Sequence, residues 1–267
     1  MNAAEVKLQV MICTCGGDGL QRVARMILPD VAGVEYLVSC QSEEQEIPAP
    51  LLRDDVKIYF TPTIGVSINR NNALSLATAP YALVADDDLE YYADGLQGVI
   101  DTFEDNPDVD IATFRFRGDD GKVYPTTEHD LSVPYRLYTV TAFEIAMRMS
   151  SVRNAPLKFS TLISFGTSYI GCGEEDVFMV QAMRRGLKCV FYPITICRHT
   201  GPTTGVRRMR DPLVIRASGM YIYLRFGWSG PLRMLLKAYR IGGNIFRNLK
   251  YLIQGWLFGL RHRKELL

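Results

Sequence analysis

Tyr81-Ala82-Leu83-Val84-Ala85-Asp86-Asp87-Asp88-Leu89 is a short apolar run that stops on three consecutive carboxylates. An uninterrupted apolar run of this length suits a strand buried on both faces, as in a parallel sheet covered by helices. Three adjacent carboxylates repel one another unless a cation or a cationic side chain compensates them. At the carboxyl end of a strand they sit where open α/β sheets bind ligands. In extended backbone Asp86 and Asp88 point the same way. Two hard oxygen donors so arranged suit Mg²⁺ or Mn²⁺, with diphosphate oxygens and water completing the shell. The competing reading is a solvated acidic turn that caps the next helix.

Outward from this segment, strand and helix signals alternate. Strands are expected at residues 6–13, 34–39, 56–60 and 110–116, and helices at 20–28 and 67–79, the second ended by Pro80. This order predicts an α/β domain with a mostly parallel central sheet flanked by helices. Residues 118–135 are polar and turn-rich and read as a mobile loop or hairpin. Residues 141–149 have helical character. A helix is expected over 174–185 with Gly186 at its C-terminus, then a strand over 189–192 closed by Pro193.

The 267 residues are 48% apolar, enough for a large folded domain and too apolar for wholesale disorder. The charge is divided unevenly. Residues 1–206 carry 17 Lys and Arg against 27 Asp and Glu, whereas 207–267 carry 13 against two, Asp211 and Glu265. The composition therefore divides the chain into an acidic α/β domain, 1–206, and a basic helical C-terminal extension, 207–267. A basic segment on an acidic body points to an anionic partner: a membrane surface, a polyanion, or the body itself. The first residues lack the basic start and apolar run of a leader. No stretch reaches the roughly 18–20 apolar residues that span a bilayer. Six cysteines without a second close pair read as reduced thiols of a cytosolic protein.

Ahead of the acidic run stands Gly65-Val66-Ser67-Ile68-Asn69-Arg70-Asn71-Asn72-Ala73-Leu74. A strand, a Gly-x-Ser-x-x-Arg-Asn-x-Ala helix and an apolar strand ending in Asp-x-Asp together resemble the family 2 glycosyltransferases of the GT-A fold. The resemblance covers about residues 6–205 and implies a nucleoside-diphosphate sugar donor and a glycan or lipid-linked acceptor. It places Arg70 and Asn71 near the nucleotide, Asp86 at the ribose with Asp87 beside it, and Asp88 at the metal. Thr14 matches the turn after the family's first strand. The Asp expected after the second strand is missing, with Ser39, Cys40 or Gln41 near its place, which leaves the nucleotide base open.

Gly173-Glu174-Glu175-Asp176-Val177-Phe178 resembles the family motif whose carboxylate deprotonates the acceptor. Carboxylates in the first turn of a helix are stabilised by its dipole and rigidly placed. Aligning Phe178 with the family's hydrophobic position favours Glu175, with Asp176 next. The alternative is that all three acids cap the helix. His199, one of three histidines, leaves a strand in Cys197-Arg198-His199-Thr200-Gly201 and matches a family position that completes the metal shell. Arg207, Arg208 and Arg210 follow, facing either diphosphate or lipid.

From Tyr221 to Lys264, aromatic and aliphatic residues at helical spacing mix with nine Lys or Arg. That pattern suits helices lying on an anionic bilayer, at the inner face of the cell membrane. The alternative is an arm packed on the domain or on a second subunit. Gly242-Gly243 and Gly255 predict breaks between helices. The expected activity is inverting sugar transfer, with no nucleic-acid partner. The alternatives are a nucleotidylyltransferase, which usually carries a basic residue in the Gly-rich turn, and a non-catalytic membrane-bound scaffold.

Overall fold

The computed structural model describes residues 5–119, 121–135, 138–164, 166–201, 203, 206 and 208–267. The chain forms two compact units, Met1–Leu157 with Ala182–Gly201, and Lys158–Gln181 with Pro202–Leu267. The unit that holds the basic C-terminal segment thus also takes in residues 158–181, which its charge pattern does not mark.

The first unit is built on a sheet of nine strands. In chain order these are β1 (Leu8–Cys15), β2 (Val34–Gln41), β3 (Val56–Phe60), β4 (Tyr81–Ala85), β5 (Leu89–Tyr91), β6 (Ile111–Arg117), β7 (His129–Asp130), β8 (Ile145–Arg148) and β9 (Cys189–His199). Their order across the sheet is β3-β2-β1-β4-β8-β6-β9-β5, with β7 on β9. Strands β3, β2, β1 and β4 are mutually parallel. Beyond β4 the sheet is mixed: β8 runs antiparallel to both β4 and β6, while β6 and β9 are parallel. All five residues of β4 are buried, as its unbroken apolar character requires. Helices α1 (Gly16–Val23) and α2 (Val66–Leu76) pack on β1 and β2, and α3 (Ala93–Asp105) packs on β9.

Several expectations change. The first helix runs over Gly16–Val23 rather than 20–28. Residues 141–149 are not one helix but a short 3-10 turn, Ala142–Glu144, followed by strand β8. Everything from Ala142 to Met147 is buried, and a fully buried run carries no period that separates helix from strand. Strand β9 continues through Pro193 to His199. Between the Thr113↔Phe191 and Arg115↔Thr195 pairs the β6–β9 register shifts, so the proline falls where the ladder is already irregular. Residues 129–130 of the polar segment pair with β9 as strand β7.

After α4 (Met149–Asn154) comes α5 (Glu174–Arg184), which closes as its sequence predicts. Gly186 adopts φ +79°, its N–H donates to the Met183 carbonyl, and that of Leu187 donates to Ala182. This pair of bonds is a Schellman cap.

The second unit holds the first residues of α5 with α6 (Pro212–Phe226), α7 (Gly230–Ile241), α8 (Ile245–Arg261) and α9 (Arg263–Leu266). Asp211 caps α6 by accepting from the Leu213 N–H at 2.9 Å, and Asn244 caps α8 through Arg247 N–H at 3.0 Å. Gly242 and Gly243, both at positive φ, separate α7 from α8. Gly255 does not break a helix; it lies inside α8, against α6. A Cβ on Gly255 would stand 1.9 Å from the Arg216 carbonyl oxygen, and one on Gly219 would stand 2.0 Å from that of Leu252. The two helices therefore touch backbone to backbone, and neither obstacle is a side chain that could swing away. Gly255→Ala is expected to destabilise this unit by roughly 3 kcal/mol, the upper range for overpacking. Chemical denaturation measures it, and an unchanged midpoint would contradict this helix separation.

Candidate active site

Because β1, β2 and β4 are parallel, their carboxyl ends lie side by side, and the residues leaving them assemble the site. The three aspartates after β4 fan out to three different partners. Asp86 accepts from Arg70 Nη2 at 3.0 Å, and that arginine side chain is only 6% exposed. Asp87 receives Arg22 Nε at 3.1 Å and Nη2 at 2.7 Å on its two oxygens, and the Thr14 hydroxyl donates to it as well. Asp88 stands 3.5 Å from His199 Nε2. Each carboxylate thus has its own cationic or protonatable neighbour, which offsets the repulsion within the acidic run.

Strand pairing delivers His199. Antiparallel β5 and β9 set Leu89 opposite His199, which carries the preceding Asp88 to the ring. The imidazole is nearly buried and stacks on Phe143, with centroids 5.4 Å apart and planes at 19°. Its Nδ1 lies 2.9 Å from the Gly201 carbonyl oxygen. A carbonyl can only accept, so Nδ1 carries the proton and the neutral ring keeps its lone pair on Nε2, on the Asp88 side.

The Asp88 carboxylate raises the proton affinity of His199 above the ordinary histidine value, against burial, which lowers it. A histidine raised in this way stabilises the fold at pH below its unfolded value of about 6.5. The contribution is lost as pH rises through the raised value, and it is small because Asp88 is half exposed. In Asp88→Asn the His199 titration is expected to move down. Imidazole NMR reads this with His129 and His262 as internal controls, and an unmoved His199 would remove Asp88 as the cause.

Asp88 Oδ2 and His199 Nε2, one carboxylate oxygen and one imidazole nitrogen, stand 3.5 Å apart. Among the described residues no group of three or more His, Cys, Asp or Glu side chains is placed to hold a metal ion. A two-donor set fits Mg²⁺ or Mn²⁺ of the kind that takes its other ligands from substrate phosphates and water. The Nδ1–H bond to a backbone carbonyl is the usual support of a metal-binding histidine.

Two residues the motifs did not single out matter here. Arg22, on α1, grips Asp87, and its signal was its place one helical turn beyond Gly19. A Cβ on Gly19 would stand 2.2 Å from the Thr14 hydroxyl oxygen, so a side chain there would displace the Thr14–Asp87 contact. Asn69 is buried under the site. Its amide donates to the Thr14 and Ser39 carbonyls at 2.9 and 3.1 Å and accepts from the Ser39 hydroxyl at 2.6 Å, tying together the ends of β1 and β2. Helical spacing from buried Ala73 was its signal. Asn71 is half-buried on α2 beside Arg70. Where the family's second-strand Asp is missing, Ser39 is engaged by Asn69, and Gln41 donates to Thr63 at 3.0 Å.

Glu175 and Asp176 belong to the second unit, in the first turn of α5. Gly173 precedes the helix at φ +95°, a conformation that side chains disfavour. Glu174 is buried, Glu175 and Asp176 are partly exposed, and Phe178 is fully buried in a stack on Phe159 at 4.5 Å. Within this unit burial lowers the proton affinity of the Lys237 ammonium while the Asp176 charge raises it. Of the arginines after His199, Arg207 lies outside the described residues.

Residues 41–164 match the family model described as glycosyl transferase family 2. No curated protein sequence matches the chain. Among solved structures, S. aureus TarS residues 1–349 in complex with UDP is similar at 16% identity and a TM-score of 0.55, covering 81% of this chain and 65% of that one. The same fragment with UDP-GlcNAc gives 16% identity and 0.56, covering 81% and 66%. Longer S. aureus TarS gives 16% and 0.55, with 81% of this chain and 40% of that chain covered. This chain therefore spans just under two thirds of the fragment it resembles. The matched stretch runs from the end of β2 through the Arg70 helix and the three aspartates, so residues 41–164 are similar to glycosyl transferase family 2, and the sheet shares the fold of the TarS structures.

Proposed function

We propose that the protein transfers a sugar from a nucleoside-diphosphate donor to a hydroxyl of a glycan or lipid-linked acceptor, with inversion at the anomeric carbon. The fan of Asp86, Asp87 and Asp88 onto three separate partners carries this reading. It leaves Asp88 and His199 together at the carboxyl edge of the sheet, while Asp87 is engaged by Arg22 and Thr14 as a structural brace. A divalent ion held by Asp88 and His199 would neutralise charge on the departing diphosphate. Arg70 and Asn71 orient the nucleotide, and Asp86 meets the ribose. Glu175, or Asp176 next to it, takes the acceptor proton as the hydroxyl oxygen bonds to the anomeric carbon. The bond from that carbon to the diphosphate oxygen breaks, and the nucleoside diphosphate leaves. The nucleotidylyltransferase alternative needs a basic residue after the Gly-rich turn to meet a triphosphate, and Arg22 is instead bound to Asp87.

Because the TarS neighbours hold UDP and UDP-GlcNAc, UDP is the first nucleotide to test. Calorimetric titration with UDP and GDP, with Mn²⁺ and then with chelator, should give metal-dependent binding of one of them. Binding of neither would favour the scaffold reading, and binding indifferent to chelator would exclude Asp88 and His199 as metal residues.

The finer partner is an anionic membrane. No described helix is long and apolar enough to cross a bilayer. Trp228, Leu232, Leu235, Leu236 and Tyr239 are each more than half exposed and form one stripe on and just before α7, while Met234, Ala238 and Ile241 face inward. Arg233 and Arg240, both exposed, stand beside the stripe, and the chain has no acid between Asp211 and Glu265. An apolar stripe edged by basic residues suits a helix lying at an anionic lipid surface. The protein is expected to sediment with phosphatidylglycerol vesicles in low salt, and Leu232→Ser/Leu235→Ser/Leu236→Ser is expected to stay in solution. Equal binding of both proteins, or none by the wild type, would overturn the assignment. Concentration-dependent dimerisation that the triple variant abolishes would instead assign the stripe to a second copy.

A further inference from the structure

Directly behind His199, in the first unit, lies a charged cluster that the proposed reaction does not use. Glu144 is fully buried and receives four donors. They are Lys122 Nζ at 2.7 Å, the Tyr124 hydroxyl at 2.5 Å, the Thr141 N–H at 2.7 Å and the Tyr138 hydroxyl at 3.5 Å. Lys122 also donates to the Thr141 hydroxyl at 2.7 Å. Its ammonium sits 5.3–5.4 Å from the ring centroids of Phe116, Tyr124 and Tyr138, an aromatic cage around a cation. Two rings connect this cluster to the site. Phe143, the neighbour of Glu144 in the 3-10 turn, stacks flat on His199, and Phe116 meets the same imidazole edge-on at 6.2 Å.

A buried ion pair gives little net stability compared with apolar residues of the same volume, although removing one partner is costly. What such a pair does provide is orientation, because each hydrogen bond has a fixed direction. Here the Thr141–Glu144 capping box and Lys122 together fix the turn that carries Phe143. Lys122 and Tyr124 bring the start of the polar segment 121–135 to the same point.

We propose that Lys122 and Glu144 are positioning residues: they hold Phe143 and Phe116 against the imidazole of His199, so that Nε2 is presented towards Asp88. The inference rests on the proposed pairing of Asp88 and His199 as metal donors, but its physical content, the fixed ring, is open to measurement without substrate. The expected loss on removing such outer support is about tenfold in affinity for the metal-bound ligand.

The test is long-range ¹H–¹⁵N imidazole NMR on the full chain, at a pH where the rings are neutral, with Lys122→Met and Lys122→Arg compared. Wild type should show His199 in a single Nδ1–H tautomer. Lys122→Met should show mixed tautomers at His199 alone, with His129 and His262 unchanged, and about tenfold weaker Mn²⁺–UDP binding. Lys122→Arg, which keeps the cation, should restore much of both. A folded Lys122→Met protein with wild-type His199 signals would overturn the proposal. If Lys122→Met fails to fold, Glu144→Gln, which keeps the shape but removes the charge and replaces one accepting oxygen with a donating NH2, is read the same way, and an unchanged His199 in it is equally decisive against the proposal. If the wild type binds no nucleotide, the sugar-transfer reading fails while the imidazole spectrum still decides this one.

Discussion

Asp88→Ala is expected to lower kcat/KM for sugar transfer by about 10²–10³-fold, the range lost when one preorganised electrostatic group is removed from a developing charge. It should also remove the Mn²⁺ dependence of nucleotide affinity, because His199 alone is a weak site for a hard cation. The fold should be unaffected. Asp88 is half exposed and its ion-pair contact with His199 is long, so little stability depends on it. The neighbouring aspartates provide the contrast. Asp86→Ala would remove one ion pair of the buried Arg70 guanidinium, and Asp87→Ala would remove the carboxylate that Arg22 and Thr14 share, so both should lower the melting temperature as well as activity. Steady-state kinetics with calorimetry and thermal melting separate the cases. Full turnover by Asp88→Ala in the presence of metal would end its assignment as a donor.

The second large effect is expected at the start of α5. Glu175→Gln should reduce kcat by about 10²–10⁴-fold, the contribution of a general base, and leave Mn²⁺–UDP affinity intact. Only the acceptor proton needs that carboxylate. Asp176→Asn distinguishes the two candidates. Burial lowers the proton affinity of Lys237 and raises that of the Tyr221 hydroxyl, and the Asp176 charge in the same unit raises both, so removing that charge takes away the partial compensation of the Lys237 ammonium. If Glu175 is the base, Asp176→Asn should lose stability with a modest change in kcat; the reverse pattern would transfer the role to Asp176. Wild-type kcat in both variants would place the base elsewhere.

Much of the site was legible in the chain because its chemistry is local. The acidic run is read from neighbouring residues, Arg70 and Thr14 come from the family resemblance, and β4, β3 and the cap at Gly186 stand where their signals put them. Partners far apart in sequence were not legible. Arg22 and Asp87 are 65 residues apart, and nothing local to either announces the other. Lys122 lies in a segment that reads as a mobile loop or hairpin, and its partner Glu144 lies in one that reads as helical, so neither announces the other. Gly255 reads as a helix break because an isolated glycine has no side chain with which to declare a contact, and the carbonyl that demands it belongs to α6.

The alternation of strands and helices, the acidic strand end, the acidic first turn of α5 and the basic, acid-free tail are written in the chain itself. These follow from side-chain period, burial and charge along one stretch of chain. Folding sets which aspartate has which partner, carries β9 through Pro193 to bring His199 opposite Leu89, and joins Lys122 to the buried Glu144 beside Phe143. Those outcomes depend on strand register and on contacts between distant segments, where a shift of one residue reverses every side chain and no local preference sets the choice.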